Sequence, residues 1–289
     1  MLIDTGFDQA ECREALLNGL KEAEVKLSDI DYFITHVHGD HSGLVSELVT
    51  EENKVYCSRI DAGILQNTMS SKYWQEIDAV FESNGFPASR STETGNRVKG
   101  FISGCNINFT FVNEGSVLQA GQYKLSCVMT PGHSPGHVCL YEADRKIFFS
   151  GDHILADISP NITSWLEMED SLGCYLNSLD KVKQLDIDLV LPGHRSIIRD
   201  HKERISELKE HHRKRLAEIL IILEKGPLNA YHVASQMKWD LKYDLWEQVA
   251  SFQKWFATGE AIAHIEHLVK KRKLNKIQTA DQILYELVT

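Results

Sequence analysis

Four side chains of metal-binding type are crowded into one short stretch of the sequence. The segment 35–43 reads T-H-V-H-G-D-H-S-G and places His36, His38, Asp40 and His41 directly after an apolar run. Neutral imidazole nitrogens and carboxylate oxygens are ligands that a zinc-like ion accepts at roughly 2.0–2.2 Å. Four ligands on one short loop cannot easily close a tetrahedron around a single ion. The spacing therefore favours two adjacent ions, each with further ligands from elsewhere in the chain.

Three later segments offer such ligands. Each is a strand-like run that ends in a glycine followed at once by a histidine or an aspartate. The candidate ligands are His133 in T-P-G-H, Asp152 in S-G-D and His194 in P-G-H. Glycine before each ligand permits a tight turn with a close backbone approach. One such segment is weak evidence, whereas three of them after H-x-H-x-D-H are typical of a metal centre.

The apolar pattern predicts a mixed α/β domain that positions these segments. Short apolar runs between glycine or polar turns predict strands, and apolar residues three or four apart predict helices. The predicted strands cover residues 32–35, 55–57, 107–112, 123–129, 138–141, 146–150 and 189–191. The predicted helices cover 8–24, 59–83 (one helix or a pair), 169–184 and 201–225, with a loop over 84–100. Sheets covered by helices on their outer faces suit this order.

A second, smaller domain is predicted to follow a boundary near residue 200. Residues 1–200 contain 16 basic and 29 acidic residues, whereas residues 201–289 contain 15 and 12. Residues 228–289 predict three helices and a strand-like end, which is the layout of a winged-helix domain. We therefore divide the chain into a domain at 1–200 and a helical or winged-helix-like domain at 201–289.

The composition argues against several classes of protein. No apolar run in the 289 residues approaches the ~18–20 that a membrane span needs, and the start has no secretory signal pattern. The six cysteines form no C-x-x-C pair, which predicts reduced thiols in a cytoplasmic protein. The net charge of −10 disfavours avid non-specific binding to nucleic acid, because that binding comes largely from neutralising phosphates.

Together with L-I-D-T-G at residues 2–6, the four segments resemble the motifs of the metallo-β-lactamase-fold hydrolases, in the same order. The resemblance covers residues 2–200 and implies an αβ/βα four-layer sandwich with metals at one edge between two sheets. The C-terminal part, including 259–268, is similar to a hydroxyacylglutathione-hydrolase-like subset in which a small winged-helix-like domain follows. The family normally carries two strands before the first motif. We therefore expect either that this sequence is trimmed at its start or that the fold lacks this N-terminal hairpin.

The resemblance also implies a dinuclear zinc centre, with iron or manganese as alternative metals. The first ion would be held by three histidines, His36, His38 and His133. The second ion would be held by Asp40, His41 and His194. The carboxylate of Asp152 would bridge the two ions.

Such a centre implies hydrolysis. Water that bridges two zinc ions has its pKa lowered to around neutral, so hydroxide is available at pH 7. One ion would polarise the carbonyl or phosphoryl oxygen of the substrate, and the other would stabilise the leaving group. Asp40 is the candidate catalytic residue, because its carboxylate can also accept a proton.

Four further residues are candidates for orienting a ligand or lining the substrate pocket. His137 follows the P-G-H motif closely, and Trp165 lies in the segment after S-G-D. Tyr73 and Trp74 belong to the predicted helix over 59–83, which is a candidate lid. For each aromatic residue the alternative interpretation is ordinary core packing, and for His137 it is an unremarkable turn position.

The leading functional hypothesis is a cytoplasmic hydrolase of a small thioester or ester. The alternative is a metal-dependent phosphodiesterase or endoribonuclease acting on single-stranded RNA. The basic run 270–273 and winged-helix members of the family support this alternative, but the accessory nuclease motifs are not visible and nucleic acid is the less favoured partner. A third interpretation, a binding module with a vestigial hydrolase, conflicts with the seven filled ligand positions. A homodimer is compatible with the sequence.

Overall fold

The first part of the chain contains two β-sheets. The computed structural model describes residues 1–88, 107–240, 242 and 245–288. The first sheet has four parallel strands in the order β1-β2-β3-β4: β1 Leu2–Ile3, β2 Tyr32–Phe33, β3 Val55–Ser58 and β4 Phe109–Val112. The second sheet has five strands in the order β5 to β9: β5 Val117–Ala120, β6 Tyr123–Met129, β7 Val138–Glu142, β8 Ile147–Gly151 and β9 Leu189–Pro192.

Alternating side chains place one core between the sheets and one outside each sheet. Phe33 of β2 packs with Val138 and Leu140 of β7 in the layer between the sheets. The neighbouring Tyr32 packs instead in the core on the outer side of the first sheet, and Cys139 does so on the outer side of the second. This period of two follows from the pleat, in which successive side chains point to opposite faces.

Helices cover the two outer faces and complete the four layers. The described helices are α1 Ala10–Glu22, α2 Gly39–Ser42, α3 Val45–Leu48, α4 Arg59–Asn67, α5 Ser71–Ser83, α6 Ser171–Lys183, α7 His201–Leu223, α8 Ala230–Ala234 and α9 Ser251–Lys270. Leu65 of α4 is buried against the first sheet, and Tyr175 and Leu179 of α6 are buried against the second. The predicted αβ/βα sandwich is confirmed.

The strand directions bring the candidate ligands to one edge. In the second sheet β6 and β8 are both antiparallel to β7, and β9 is parallel to β8. The carboxyl ends of β6, β8 and β9 therefore share an edge, where the segments T-P-G-H, S-G-D and P-G-H begin. The amide of Val138 donates to the carbonyl of Thr35 at 2.9 Å, which joins the end of the β2 segment to the same edge.

The last part of the chain packs helices against a hairpin. Helices α7, α8 and α9 share a buried core with β10 Leu274–Gln278 and β11 Ile283–Leu287, which pair antiparallel. Helix α9 also contacts α6 of the first domain. None of the described helices is long and apolar enough to cross a membrane.

Three sequence predictions differ from the structure in detail. The predicted strand 32–35 ends at Phe33, because the amide of Thr35 donates to the Asp4 carboxylate and leaves the ladder. Strands β5 and β10 were not predicted, since each is short and mostly polar or exposed. Of the three helices predicted in 228–289, α8 and α9 are present, and the described residues between them contain only a short 3₁₀ turn at Trp246–Gln248. The predicted loop 84–100 lies outside the described residues from position 89 onward.

Gly43 fixes the loop of residues 2–6 against α2, and its replacement tests that contact. A Cβ at Gly43 would lie 2.4 Å from the carbonyl oxygen of Gly39 and 2.8 Å from that of Gly6, both of them backbone atoms. We expect Gly43→Ala to lower the free energy of unfolding by at least about 2 kcal/mol. The matched control is Gly63→Ala within α4, where nothing lies within 4 Å of the added Cβ. We expect the control to raise stability by about 0.5–1 kcal/mol, and equal effects in a denaturant titration would contradict this account.

Candidate metal centre

Three imidazole rings converge at the edge between the sheets. The Nδ1 atom of His38 lies 3.0 Å from Nε2 of His36 and 2.9 Å from Nε2 of His133, and the two Nε2 atoms are 3.2 Å apart. Two ligands that bind one zinc ion at 2.0–2.1 Å with tetrahedral geometry lie roughly 3.3 Å apart. This three-histidine group (His36, His38 and His133) therefore has the spacing of three ligands on one ion.

A second group lies beside the first. The Nε2 atom of His194 is 3.2 Å from Nε2 of His41 and 3.1 Å from Oδ2 of Asp40. The Nε2 atom of His41 is 3.7 Å from the same carboxylate oxygen. This Asp40 group (Asp40, His41 and His194) supplies two nitrogens and one oxygen, a donor set that suits zinc and also iron or manganese.

Asp152 lies between the two groups. Its Oδ2 atom is 3.6 Å from the nitrogen of His133 and 3.6 Å from that of His194, and its Oδ1 atom is 3.4 Å from that of His41. Oδ1 is buried and accepts no hydrogen bond from any described residue. A buried carboxylate oxygen without a donor is costly, and a bridging metal ligand would remove that cost.

Two residues outside the set of candidate ligands fix the ring orientations. Asp4, at a positive φ of 61°, holds its Oδ2 atom 2.7 Å from Nδ1 of His41. The hydroxyl of Thr35 donates to the same Asp4 carboxylate and lies 2.9 Å from Nδ1 of His36. Because these contacts take up the Nδ1–H groups, the Nε2 lone pairs of His36 and His41 point towards the site. The position of Asp4 within L-I-D-T-G was the available signal.

Comparison with known proteins identifies the family of a chain with this arrangement of candidate ligands. The model of the metallo-β-lactamase superfamily matches residues 1–194, which is more than half of the chain. The chain belongs to the metallo-β-lactamase superfamily. A second model, described as the metallo-β-lactamase-like C-terminal domain, matches residues 216–285.

Named relatives support assignment to the hydrolases of this superfamily. The "Probable metallo-hydrolase YqjP" of Bacillus subtilis is 28% identical over 82% of this chain and 76% of its own length. The human acyl-coenzyme A thioesterase MBLAC2 is 27% identical over 67% of this chain and 68% of its own length. The lactamase-like protein adaB of Aspergillus niger is 26% identical over 78% of this chain, and the chain spans only 56% of that protein. The prediction of a metal-dependent hydrolase is confirmed at this level.

Solved structures show the same fold over the whole chain. A metallo-β-lactamase family protein from Thermus thermophilus is 25% identical, with a TM-score of 0.82 over 99% of this chain and 89% of that protein. A β-lactamase domain protein from Burkholderia ambifaria has the same TM-score at 22% identity, covering 99% of this chain and 83% of its own. The shared architecture therefore includes the C-terminal helices and hairpin.

Asp61 is a further residue that the sequence did not reveal. Its fully buried carboxylate accepts hydrogen bonds from the amide of Val37 at 3.0 Å, the hydroxyl of Ser134 at 2.5 Å and the amide of Gly136 at 2.6 Å. Burial raises the pKa of Asp61 to about 6, although these hydrogen bonds favour the charged form. The carboxylate thus ties the loop of His36 and His38 to the loop that follows β6.

The C-terminal domain reaches the centre through a chain of hydrogen bonds. The Nδ1–H group of His133 donates a hydrogen bond to the carbonyl oxygen of Asn161, 2.8 Å away, so that the lone pair lies on Nε2. The side-chain amide of Asn161 donates at 3.1 Å to the carboxylate of Glu260 in α9. Arg215 of α7 lies 3.3 Å from the other oxygen of Glu260. Helix α9 therefore helps to hold the backbone that orients a candidate ligand.

The four other candidate residues also lie around the centre. His137 accepts the amide of Asp152 at its Nε2 atom, 3.2 Å away, which places it as a partner of the candidate bridging residue. The indole of Trp165 donates to the carbonyl of His133 at 3.1 Å. Tyr73 and Trp74 of α5 are mostly buried in the outer core and also line the cavity beside the metal centre.

That cavity has a volume of about 350 Å³ and opens onto both groups of candidate ligands. His38, Asp40, His133, Asp152 and His194 form its polar end. The rest of its wall is mostly apolar and comes from α5, the segment 155–166 and α9. Neither lysine nor arginine is among the described lining residues.

The two groups of candidate ligands differ in the protonation of their histidines. Burial lowers the pKa of His36 and of His133, and it lowers the pKa of His38 to about 3. These imidazoles are therefore neutral at pH 7. Burial also acts to lower the pKa of His41, but Asp4 and Asp152 outweigh it and raise that pKa well above its usual value.

The carboxylates of the site are ionised at neutral pH. Burial opposes ionisation of Asp152, but the neighbouring side chain of His41 lowers its pKa well below the usual range. Burial likewise opposes the ionisation of Asp40, and the hydrogen bond with His194 contributes to lowering its pKa. The same hydrogen bond raises the pKa of His194.

These pKa directions predict the order in which metal is lost on acidification. Metal must displace the protons of the Asp40 group, whose histidine pKa values are raised, whereas the three-histidine group is already neutral. As pH falls from 8 to 5.5, protons should therefore compete first at the Asp40 group. We expect the metal content after dialysis, measured by elemental analysis, to fall from about two ions to about one per chain, with three histidine nitrogens bound to the remaining ion in its X-ray absorption spectrum. Simultaneous loss of both ions would contradict this order.

Proposed function

We propose that the protein is a dinuclear zinc hydrolase of thioesters or esters, with iron and manganese as alternative metals. The observation that carries the proposal is that the cluster of seven candidate ligands borders a mostly apolar cavity. The cluster supplies donors for two ions, and the cavity accepts an uncharged acyl group next to them. In the proposed reaction the oxygen of water bonds to the acyl carbon, the C–S or C–O bond breaks, and the thiol or alcohol leaves with a proton.

The metals and the protein residues contribute differently. Two ions bound by the three-histidine group and the Asp40 group would supply Lewis acidity and lower the pKa of nearby water. Asp40 lines the cavity, has a side chain that is 25% exposed, and is ionised at neutral pH, so it can accept a proton from water at the cavity's polar end. Asp4, Thr35 and the carbonyl of Asn161 hold the rings in the tautomers that such ions require.

The cavity wall favours acyl over phosphoryl substrates. A phosphodiester chain is usually bound through lysine and arginine side chains, and the described cavity wall contains neither. The relative MBLAC2 is named as an acyl-coenzyme A thioesterase, which supports thioesters as a substrate class. The exposed basic run at 270–273 keeps cleavage of single-stranded RNA as the second candidate.

We also propose that a domain boundary lies near residue 200. Beyond it, α7, α8, α9 and the hairpin would form a winged-helix-like domain. We further propose that the protein is cytoplasmic. None of the cysteines in the described residues forms a disulfide, which supports a reducing compartment. The C-terminal family model begins at residue 216, within α7. Helix α7 would then serve as the connection between the two domains.

Activity assays on the purified protein test the proposal. The zinc-loaded protein should hydrolyse a panel of acyl thioesters and aryl esters. Removal of metal by a chelator should lower the turnover rate by at least about 1,000-fold. Readdition of zinc should restore it. Asp152→Ala should lose the activity to a similar extent, whereas Asp157→Ala, at an exposed position beyond the ligands, serves as the matched control.

Labelled single-stranded RNA provides the competing arm of the same assay. Turnover of RNA that falls steeply with added salt, with no turnover of any thioester or ester, would replace the proposal by the second candidate. No turnover of either class by protein that contains two metal ions would refute both.

A further inference from the structure

The cavity beside the metal centre is built by both domains. Ile77 and Val80 of α5 line one part of it, and Leu155 and Ile158 line another. The remaining wall includes Trp255 and Phe256 of α9, from the C-terminal domain. Ile77, Val80, Trp255 and Phe256 are only half-buried, so these large apolar side chains keep accessible surface where they line the cavity.

Stacked aromatic rings join the two domains at this wall. The rings of Phe81 in α5 and Trp255 in α9 lie 4.3 Å apart between centroids, with an angle of 6° between their planes. Such a pair buries a large apolar area and has a preferred geometry. The position of α9 therefore determines where this part of the wall lies.

Close backbone packing fixes α9 against the segment 161–165. A Cβ at Gly259 would lie 2.2 Å from Oγ1 of Thr163, and the carbonyl of Gly259 accepts the amide of Ser164 at 3.2 Å. The neighbouring Glu260 accepts the side-chain amide of Asn161. Two consecutive residues of α9 thus anchor the segment that also carries Trp165, next to the candidate ligand His38 at a ring distance of 5.7 Å.

We propose that this chamber binds the extended aliphatic chain of the acyl group, and that Trp255 and Phe256 of α9 set the chain length that the enzyme prefers. The inference rests on the proposed function and specifies its substrate as a medium- or long-chain acyl thioester or ester. The reacting carbonyl lies at the polar end with Asp40 and Asp152. The aliphatic chain lies along α5 and α9, and the charged part of the leaving group stays outside the chamber.

Burial energies make the chain the main source of selectivity. Each methylene group that moves from water into an apolar wall contributes about a fourfold gain in binding. An aliphatic chain leaves no buried polar group without a partner, whereas a charged or hydroxylated acyl group would, because the described wall around α5 and α9 is mostly apolar. Short acyl groups such as acetyl would leave most of this wall in contact with water.

A chain-length series tests the chamber with a matched pair of variants. Acetyl, hexanoyl, dodecanoyl and hexadecanoyl thioesters of one thiol are compared below their micellar concentrations. For the unmodified protein we expect kcat/KM for dodecanoyl to exceed that for acetyl by at least about 100-fold. Val80→Phe, which adds bulk inside the chamber, should lower this ratio at least about tenfold. Ala79→Phe, at the adjacent exposed position of α5, should leave the ratio unchanged.

The role of α9 is tested by Trp255→Ala, which should shift the preferred acyl chain of the same series to a longer one than the unmodified protein prefers. An unshifted preference in a folded Trp255→Ala protein would overturn the role of α9. A flat chain-length profile in the unmodified protein would overturn the chamber itself while leaving the proposed hydrolysis intact.

Binding of a fluorescent fatty acid gives a readout that does not depend on turnover. The metal-free protein should bind dansylated undecanoate, dodecanoate should displace it, and Val80→Phe should weaken binding at least about tenfold relative to Ala79→Phe. Binding without hydrolysis of any thioester or ester would support the chamber and refute the proposed function. Absence of binding to the metal-free and zinc-loaded protein would refute the chamber.

Discussion

Seven side chains of metal-binding type lie so close together that their hydrogen bonds to one another leave some lone pairs without a donor. The three ring nitrogens of the three-histidine group approach within 2.9–3.2 Å, yet the Nδ1–H groups of His36 and His133 are already engaged with Thr35 and Asn161. Their inward lone pairs therefore face one another across the site. Bound cations would relieve this repulsion. A cation would also stabilise Oδ1 of Asp152, which is buried without a hydrogen-bond donor. Much of the surrounding structure can be understood as the means of holding these donors in place.

The fold meets that constraint by bringing the loops of the candidate ligands to one edge and linking several of them to one another. Strands β6, β8 and β9 end at the same edge, so three loops arrive together. The buried carboxylate of Asp61 then links the β2 loop to the β6 loop, and Asp4 links the start of the chain to His41. Through Asn161 and Glu260 the C-terminal domain takes part in the same framework. The proposed acyl chamber uses this framework as well, since one helix, α9, both supports the ligand loop and lines the cavity.

Much of this arrangement could be predicted from the sequence, because the ligands carry local signals. Glycine before His133, Asp152 and His194 marks the end of a strand and a tight turn, and H-x-H-x-D-H is itself a dense pattern of donors. The order of apolar runs predicted sheets covered by helices, and the resemblance to the metallo-β-lactamase fold implied the four-layer sandwich. The structure brings all seven candidate residues together. Their roles as ligands stay a prediction until metal is observed.

The features that were not predicted depend on contacts between residues far apart in sequence. Asp61 and Glu260 lie on helices where an acidic residue normally faces water, and nothing local distinguishes them from their neighbours. Their partners are 24 to 99 residues away along the chain. Likewise, the half-buried state of Trp255 and its stacking on Phe81 arise only when the two domains pack together. Strand β10 is mostly polar and exposed, so its composition does not predict a strand. It is a strand because it pairs with β11.

Anomalous diffraction at the zinc absorption edge tests the central claim most directly. Crystals of zinc-loaded protein should show two anomalous peaks per chain. One peak should lie about 2.0–2.2 Å from the inward nitrogens of His36, His38 and His133, and the other at that distance from the donors of Asp40, His41 and His194, with Asp152 between them. A single peak, or peaks away from these side chains, would contradict the account.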